Sequence, residues 1–316
     1  MLCPIDFSAI SVRAYRHALS MAEHYQAKLV VLHIVEEWRH PSADFAGSAA
    51  DLNEFYRQLL ETGRWRLQEF VKNHTHEEIQ PELVVKKGTA PDLILSSAQA
   101  RNIDVIVMGA HGHRGLDRLL LGSTTDRVMR TASSPVIVIP PLDSMAVGDD
   151  LHSIRRLKRV LLCADFSENS AWALDYAISV AAEYDAELTL LHVLEQSSNG
   201  NSIEDATTRA MERLDKLLPP KVERLTGKVK TAVRVGKPYR ELIQYALEES
   251  PDLVVMGVRG RGALDLAVFG STTYRVMQLA CCPVLIVYAR PLDQGNEMSI
   301  ATNQAPPVIP LNLLTL

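Results

Sequence analysis

The sequence predicts an α/β protein made of two copies of one domain, each an open, doubly wound sheet of five parallel strands in the order 3-2-1-4-5. Three observations lead to this fold class. The chain repeats itself, each repeat alternates short apolar runs with helical patterns, and the second apolar run of each repeat is continuous, as a parallel strand buried on both faces requires.

The repeat is visible in two separate segments. PIDFS at Pro4–Ser8 recurs as CADFS at Cys163–Ser167, an offset of 159 residues. Further along, Asp104–Ile139 aligns without gaps to Asp252–Val287 at an offset of 148, with 17 identities in 36 positions. Two domains of unrelated origin would not share this pattern, so the chain is the product of a duplication.

The repeat also sets the expected domain boundaries. Residues 1–143 form the first domain and 158–290 the second, with a linker between them and a C-terminal tail at 291–316. The first repeat is longer by 11 residues (159 − 148), and we assign the difference to 38–53, expected to be a loop that runs into a helix. The tail has little charge and no periodicity, which predicts a poorly ordered segment or a strap on the surface.

Five strands are predicted in each repeat, with helices between them. In the first repeat the strands are the run before Asp6, Leu29–Val35, Leu83–Lys86, Val105–Met108 and Val136–Ile139. In the second they are Leu161–Ala164, Leu188–Val193, Ala232–Val235, Leu253–Met256 and Val284–Val287. The intervening stretches, such as Ser170–Tyr184, carry apolar residues at helical spacing.

Composition and charge exclude several classes. The chain is 47% apolar and 22% charged, and no apolar run approaches the roughly 18 residues of a membrane span. The first residues lack the pattern of a secretory signal, and a net charge of −5 argues against a nucleic-acid groove. The four cysteines have no zinc-ligand spacing and are expected to be small buried residues. We therefore expect a cytoplasmic protein.

Each repeat contains a glycine segment with the spacing G-x-x-G, nine residues, then G-S. Its residues are Gly109, Gly112, Gly122 and Ser123 in the first repeat, and Gly257, Gly260, Gly270 and Ser271 in the second. A single G-x-x-G is weak evidence of a binding site. The full spacing, found twice in register after a strand and before a helix, is strong evidence.

The segment suits an anion for physical reasons. Gly109 ends a strand at the carboxyl edge, where a side chain would block the approach of a ligand, and Gly112 is expected to adopt a positive φ. Ser123 and Thr124 open a helix whose free N–H groups attract phosphate, as do Ser271 and Thr272 in the second repeat. We expect the serine to cap this helix and to donate its hydroxyl. The alternative is that these are ordinary turn glycines and a plain helix cap.

Asp6 and its counterpart Asp165 end the first strand of each repeat. In a parallel 3-2-1-4-5 sheet the strand order reverses between strands one and four, so Asp6 and Gly109 would border one crevice. A carboxylate there can accept from an adenine amino group or a ribose hydroxyl. The alternative role is to cap the next helix, for which Ser8 competes.

Two further candidates lie within the glycine segments. His111 and Arg259 occupy matching positions and can contact phosphate, although residues in such loops are often only solvated. The sequence has no P-loop, no nucleophile elbow and no visible catalytic base.

These residues resemble those of the universal stress protein family, over about residues 1–143 and 158–290. The resemblance implies a Rossmann-like, adenine nucleotide alpha hydrolase-like fold. It also implies that the aspartates contact the adenine end while the glycine segments and serines hold ribose and phosphates. The implied ligand is ATP, with or without Mg²⁺, in a stress-response protein that acts by conformation or through a protein partner.

Two alternatives to this function stay open. One is an enzyme that slowly hydrolyses ATP or transfers its phosphate, and the other is a binding module that takes no nucleotide. The apolar fifth strands form sheet edges, and exposed edges invite pairing. We therefore expect them to meet antiparallel in an intramolecular pseudo-dimer, with Val138 and Ile286 as counterparts, and leave open a larger homo-oligomer.

Overall fold

The protein is described by a computed structural model that covers residues 1–37, 49–75, 79–112, 121–141, 157–195, 202–218, 228–258 and 270–288. The chain divides into two compact units. Unit 1 takes in the described residues of Met1–Ala132, and unit 2 takes in those from Ser133 on. The predicted C-terminal tail and most of the predicted linker lie outside the described residues, as do Arg259 and Gly260.

Unit 1 alternates strands and helices in the predicted order. Its strands are β1 (Leu2–Ile5), β2 (Val30–Glu36), β3 (Glu82–Gly88) and β4 (Ile106–Gly109). Its helices are α1 (Ala9–His24), α2 (Ala49–His74), α3 (Ala90–Ala100) and α4 (Ser123–Thr131). The strands form a parallel sheet in the order β3-β2-β1-β4, which places β1 between β2 and β4. Successive strands are therefore added on one side of β1 up to β3 and on its other side from β4 on. This change of side is the switch point at which such sheets bind ligands.

Unit 2 contains the complete second repeat and one strand of the first. Its strands are β5 (Val136–Ile139), β6 (Arg159–Cys163), β7 (Glu187–Leu194), β8 (Val229–Val235), β9 (Leu253–Val258) and β10 (Val284–Tyr288). Its helices are α5 (Glu168–Glu183), α6 (Ile203–Leu217), α7 (Pro238–Glu249) and α8 (Ser271–Leu279). The second repeat forms the order β8-β7-β6-β9-β10, all parallel, which confirms the predicted 3-2-1-4-5 sheet.

The two fifth strands pair antiparallel within unit 2. Leu285 of β10 lies opposite Ile137 of β5, and the flanking pairs are Val284 with Val138 and Ile286 with Val136. The predicted pairing of the fifth strands is therefore confirmed, but its register is not, because Val138 and Ile286 are two positions out of step. The boundary between the two compact units therefore differs from the boundary between the two repeats. Strand β5 is the last strand of the first repeat but belongs to unit 2.

A serine begins the first helix of each repeat. Ser8 and Ser167 are the N-caps of α1 and α5, and each hydroxyl accepts from the backbone N–H three residues later, in Ser11 and Ser170. Satisfying one of the free N–H groups at a helix start contributes about 1 kcal/mol. The cap therefore fixes where the chain leaves the sheet, next to the predicted aspartate.

Glycine at the end of β4 and of β9 lets these helices pack closely on the sheet. A Cβ on Gly109 would lie 2.9 Å from the Ile10 side chain of α1, and one on Gly257 would collide with the backbone of Asn169 in α5. The expected reason for these glycines, room for a ligand, is thus not the main one. Helix packing on the sheet excludes a side chain at both positions.

Three of the four cysteines are buried, as predicted for small apolar residues. Cys3, Cys163 and Cys282 are buried thiols, and burial raises the pKa of Cys163 to about 12. Cys281 differs, because it is half-buried and its sulfur lies 3.6 Å from the carbonyl oxygen of Ala246. Within the described ranges, no helix is both long and apolar enough to cross a bilayer.

Candidate functional site

A cavity of about 630 Å³ opens in unit 1 at the carboxyl ends of its strands. It combines the predicted site residues of the first repeat with residues of β2 and α3. The predicted residues that line it are Asp6, Gly109, His111, Gly112, Gly122, Ser123 and Thr124. All seven predicted residues of this repeat thus meet in one place. Its volume is within the roughly 300–1,000 Å³ that small-molecule sites occupy.

Asp6 forms a tight turn at the end of β1. Its Oδ1 accepts from the Ser8 backbone N–H at 3.0 Å and from the Ser8 hydroxyl at 2.6 Å. Ser8, not Asp6, then caps α1. The capping role considered for Asp6 therefore falls to Ser8. Asp6, two residues earlier, holds the Ser8 hydroxyl and also lines the cavity.

Gly112 lies directly against this carboxylate. A Cβ on Gly112 would be 2.7 Å from Asp6 Oδ2, so a side chain at this position would displace the carboxylate. The expected positive φ at Gly112 is wrong: the left-handed glycines of the described chain are Gly88 and Gly236, at the ends of β3 and β8. The close approach of a carboxylate, rather than backbone conformation, explains this glycine.

The N-terminus of α4 forms the polar end of the cavity. Gly122 is the N-cap, without a side-chain cap, and the first helical bond runs from Asp126 N–H to the Gly122 carbonyl at 2.8 Å. The expected capping by Ser123 is therefore wrong, because this serine occupies the first helical position. The N–H groups of Ser123, Thr124 and Thr125 consequently have no acceptor within the helix.

Two hydrogen bonds, one from a backbone N–H and one from a threonine hydroxyl, hold α4 to the end of β4. The Gly122 N–H donates to the Ala110 carbonyl at 2.8 Å, and the buried Thr125 hydroxyl donates to the Gly109 carbonyl at 2.8 Å. A Cβ on Gly122 would lie 3.1 Å from the Cα of His111, so the glycine keeps this loop close to the helix start. The free N–H groups are thereby fixed at the carboxyl edge of the sheet.

His111 lines the cavity beside the helix start. Both of its ring nitrogens are buried, and neither has a hydrogen-bond partner among the described residues. A buried polar atom without a partner is costly, and such atoms are uncommon in folded proteins. The ring is thus a buried polar group in the cavity lining that the described residues leave without a hydrogen bond.

The apolar wall of the cavity was not predicted from the sequence. Leu32, Ile34 and Glu36 alternate along β2, with Glu36 as the charged border of the wall, and the apolar residues Ala90 and Ile94 of α3 complete it. The period-two pattern of β2 could have identified the first three as one face. The α3 residues carry no comparable signal, because only the fold brings them beside β2.

His33 also lines the cavity, from the middle of β2. Its Nδ1 lies 2.9 Å from the carbonyl oxygen of Ile5, and burial lowers the pKa of the ring. The ring is therefore neutral near pH 7 and donates from Nδ1 to that carbonyl.

Unit 2 repeats the turn and the helix start. Asp165 Oδ1 accepts from the Ser167 N–H at 2.9 Å and its hydroxyl at 2.6 Å, as in unit 1. Gly270 is the N-cap of α8, so Ser271 does not cap this helix either, and Thr272 follows it. A Cβ on Gly270 would meet no described atom within 4 Å, whereas one on Gly122 would meet the His111 backbone.

The arrangement in unit 1 suits a ligand with an anionic end and an apolar body. Helix N–H groups and His111 can bind the anion, the Asp6 carboxylate can accept from hydroxyl or amino groups, and the β2–α3 wall can pack against a ring. Among the described residues, no group of three His, Cys, Asp or Glu side chains could hold a metal ion.

Comparison with known proteins agrees with the duplicated domain. The profile of the universal stress protein family matches residues 1–140 and 156–288. A universal stress protein of Mycolicibacterium smegmatis is 28% identical over 308 residues, which cover 92% of this chain and 97% of that protein. Universal stress protein YxiE of Bacillus subtilis is 32% identical over 144 residues, 41% of this chain and 97% of its own.

A solved structure supports the fold over nearly the whole length. The crystal structure of a universal stress protein from Archaeoglobus fulgidus covers 91% of this chain and 95% of its own, with a TM-score of 0.62 and 21% identity. Both matches to the family profile fall on the two repeats found in the sequence. The chain therefore belongs to the universal stress protein family, with one copy of the family domain in each repeat.

Proposed function

We propose that the chain binds an adenine nucleotide, ATP in the first instance, in the cavity of unit 1, and a second one at the matching position of unit 2. The observation that carries this proposal is the joining of Asp6 and the free N-terminus of α4 in one cavity of about 630 Å³. A nucleotide has groups for both ends: hydroxyl or amino donors for the carboxylate and phosphates for the helix.

The phosphate end has the features that an anion requires. Three backbone N–H groups without helical acceptors start α4, and the helix dipole adds a partial positive charge there. His111 lines the cavity beside these N–H groups, and neither of its ring nitrogens has a hydrogen-bond partner among the described residues. Buried polar atoms without a partner are uncommon, which is a second observation in favour of a polar ligand at this site.

The base end is apolar, with acceptors at its border. Leu32, Ile34 and Ile94 provide a surface for an adenine ring, and Asp6 and Glu36 provide carboxylates within the lining. An adenine amino group and ribose hydroxyls are donors, which carboxylates accept well. With no group of three metal-ligating side chains among the described residues, we assign Mg²⁺ only the role of a counterion carried by the phosphates.

We further propose that the bound nucleotide acts by changing conformation or partner choice of a cytoplasmic stress-response protein, rather than by turnover. Phosphoryl transfer depends on a positioned cation, an arginine or a base. The described residues that line the cavity include no lysine and no arginine. Binding is the activity that the Asp6 carboxylate and the free N-terminus of α4 support directly.

Mass spectrometry of small molecules released from the purified, denatured chain tests the ligand class. The expected result is an adenine nucleotide in the wild-type chain and its loss from an Asp6→Ala, Asp165→Ala double variant. Calorimetric titration with ATP, AMP and GTP then ranks affinities. A chain that releases no nucleotide and binds none of the three contradicts the proposal, and phosphate release from ATP at many turnovers per minute favours the enzyme instead.

A further inference from the structure

A strained turn is repeated beside both carboxylates. Phe7, directly after Asp6, has a φ of +66°, and Phe166, directly after Asp165, has a φ of +61°. A bulky side chain in the left-handed region is an outlier, which glycine or asparagine would occupy at lower cost. Both copies nevertheless place phenylalanine there.

The two rings make the same contacts in both units. The Phe7 ring centroid lies 4.5 Å from that of His33, with the Arg66 guanidinium 4.2 Å above the ring. In unit 2 the corresponding distances are 4.3 Å from Phe166 to His192 and 3.9 Å to Arg213. The arginines come from α2 and α6, far along the chain.

The histidine of each cluster also holds the end of the first strand. His33 Nδ1 lies 2.9 Å from the Ile5 carbonyl oxygen, and His192 Nδ1 lies 2.7 Å from that of Ala164. Each of these carbonyls belongs to the residue just before the aspartate. The aspartate is therefore fixed on both sides, by the histidine before it and by the clamped phenylalanine after it.

We propose that Phe7 and Phe166 are positioning residues, whose rings, held by a histidine and an arginine, keep the strained turn that orients the Asp6 and Asp165 carboxylates toward the ligand. This inference rests on the proposed function. Strained backbone persists where the surroundings over-determine it, and it concentrates at ligand sites. A ring that only filled the core would not require this backbone conformation in both repeats.

The test uses the full chain with Gly270→Val, intended to silence the second site, because no described atom lies within 4 Å of a Cβ there. Phe7→Gly accepts the positive φ at no cost but removes the clamp, so the fold is kept. We expect ATP affinity in calorimetry to fall about tenfold, with Phe7→Tyr restoring it.

A double-mutant cycle separates positioning from general damage. If Phe7 acts through Asp6, Phe7→Gly should not weaken binding further in an Asp6→Ala chain. Arg66→Ala should weaken ATP binding about threefold by loosening the ring, whereas Arg64→Ala, the same charge change on the exposed side of α2, should not.

The outcomes distinguish this inference from the function on which it rests. A wild-type chain that binds no ATP overturns both. A chain whose affinity depends on Asp6 but not on Phe7, with folding verified by urea titration, overturns the inference alone. Equal losses from Phe7→Gly with and without Asp6 also overturn it, since the ring would then act independently of the carboxylate.

Discussion

The Asp6 carboxylate and Gly112 are in direct contact across the carboxyl edge of the unit 1 sheet. An added Cβ on Gly112 would lie 2.7 Å from Asp6 Oδ2, closer than any real contact allows. The glycine is therefore required by the carboxylate, and the carboxylate is held where it faces the cavity. This relationship joins the two sequence signatures, the aspartate of β1 and the glycine segment after β4, in one site.

Gly112→Ala should consequently weaken nucleotide binding without unfolding unit 1. The carboxylate is the end of a flexible side chain, so it can turn away from the new methyl group, which moves it off the ligand. We expect about tenfold weaker ATP binding at the first site, which calorimetry measures. Gly270→Ala in unit 2 is the control, because a Cβ there would meet no described atom within 4 Å. Unchanged first-site affinity in Gly112→Ala would show that Asp6 does not contact the ligand.

Two nucleotides should bind per chain, because both repeats keep the aspartate and the described part of the glycine segment. Gly270→Val and Asp165→Ala should each remove mainly the second equivalent. Gly270→Val is the cleaner probe, since its counterpart Gly122→Val would also press on the His111 backbone, 3.1 Å from a Cβ. Equilibrium dialysis at saturation gives the count, and a wild-type plateau at one would assign all binding to one unit.

Stability should fall as the pH is lowered, because of His17 on α1. Burial, with the nearby charge of Arg13, lowers the pKa of this histidine to about 4. Its unfolded value is about 6.5, so the unfolded chain takes up a proton that the folded chain refuses. Stability is therefore present above about pH 6.5 and is lost toward pH 4, by about 2–3 kcal/mol at most.

Urea unfolding at a series of pH values measures this effect. His17→Gln should flatten the slope between pH 6.5 and 4, whereas His24→Gln, at an exposed position near the end of the same helix, should leave it unchanged. An unaltered slope in His17→Gln would assign the acid sensitivity to other groups.

The pairing of the fifth strands gives a further prediction. Cysteines at Ile137 and Leu285, which lie directly opposite, should form a disulfide within one chain when the native cysteines are removed. The pair Val138 with Ile286 is out of step by two residues and serves as the control. Non-reducing gels distinguish the outcomes. Crosslinks formed only between chains would contradict the intramolecular pseudo-dimer.

Most of the fold could be predicted because the signals were local. The apolar run Val136–Ile139 matches β5 to the residue, since every position is buried. The predicted run Leu83–Lys86 falls short of β3, which extends to Gly88 opposite Glu36. Parallel backbone pairing continues past the apolar side chains, so hydrophobicity alone underestimates such strands.

The site was predicted less completely than the fold. The switch point correctly placed Asp6 beside the glycine segment, because strand order determines which loops meet. It could not reveal Ile94, which only the packing of α3 brings to the cavity. The contact of Arg66 with Phe7 likewise depends on the placement of α2, and only its repetition in unit 2 marks it as more than chance.

Photolabelling with 8-azido-ATP tests the central claim most directly, because the azide reacts with residues that surround the base. In unit 1 we expect labelled tryptic peptides that carry Leu32–Ile34 and Ile94, which belong to the apolar wall of the cavity. Excess unlabelled ATP should abolish this labelling, and Gly112→Ala should reduce it. Labelling of other surfaces, or labelling that excess ATP does not suppress, would contradict a nucleotide site in this cavity.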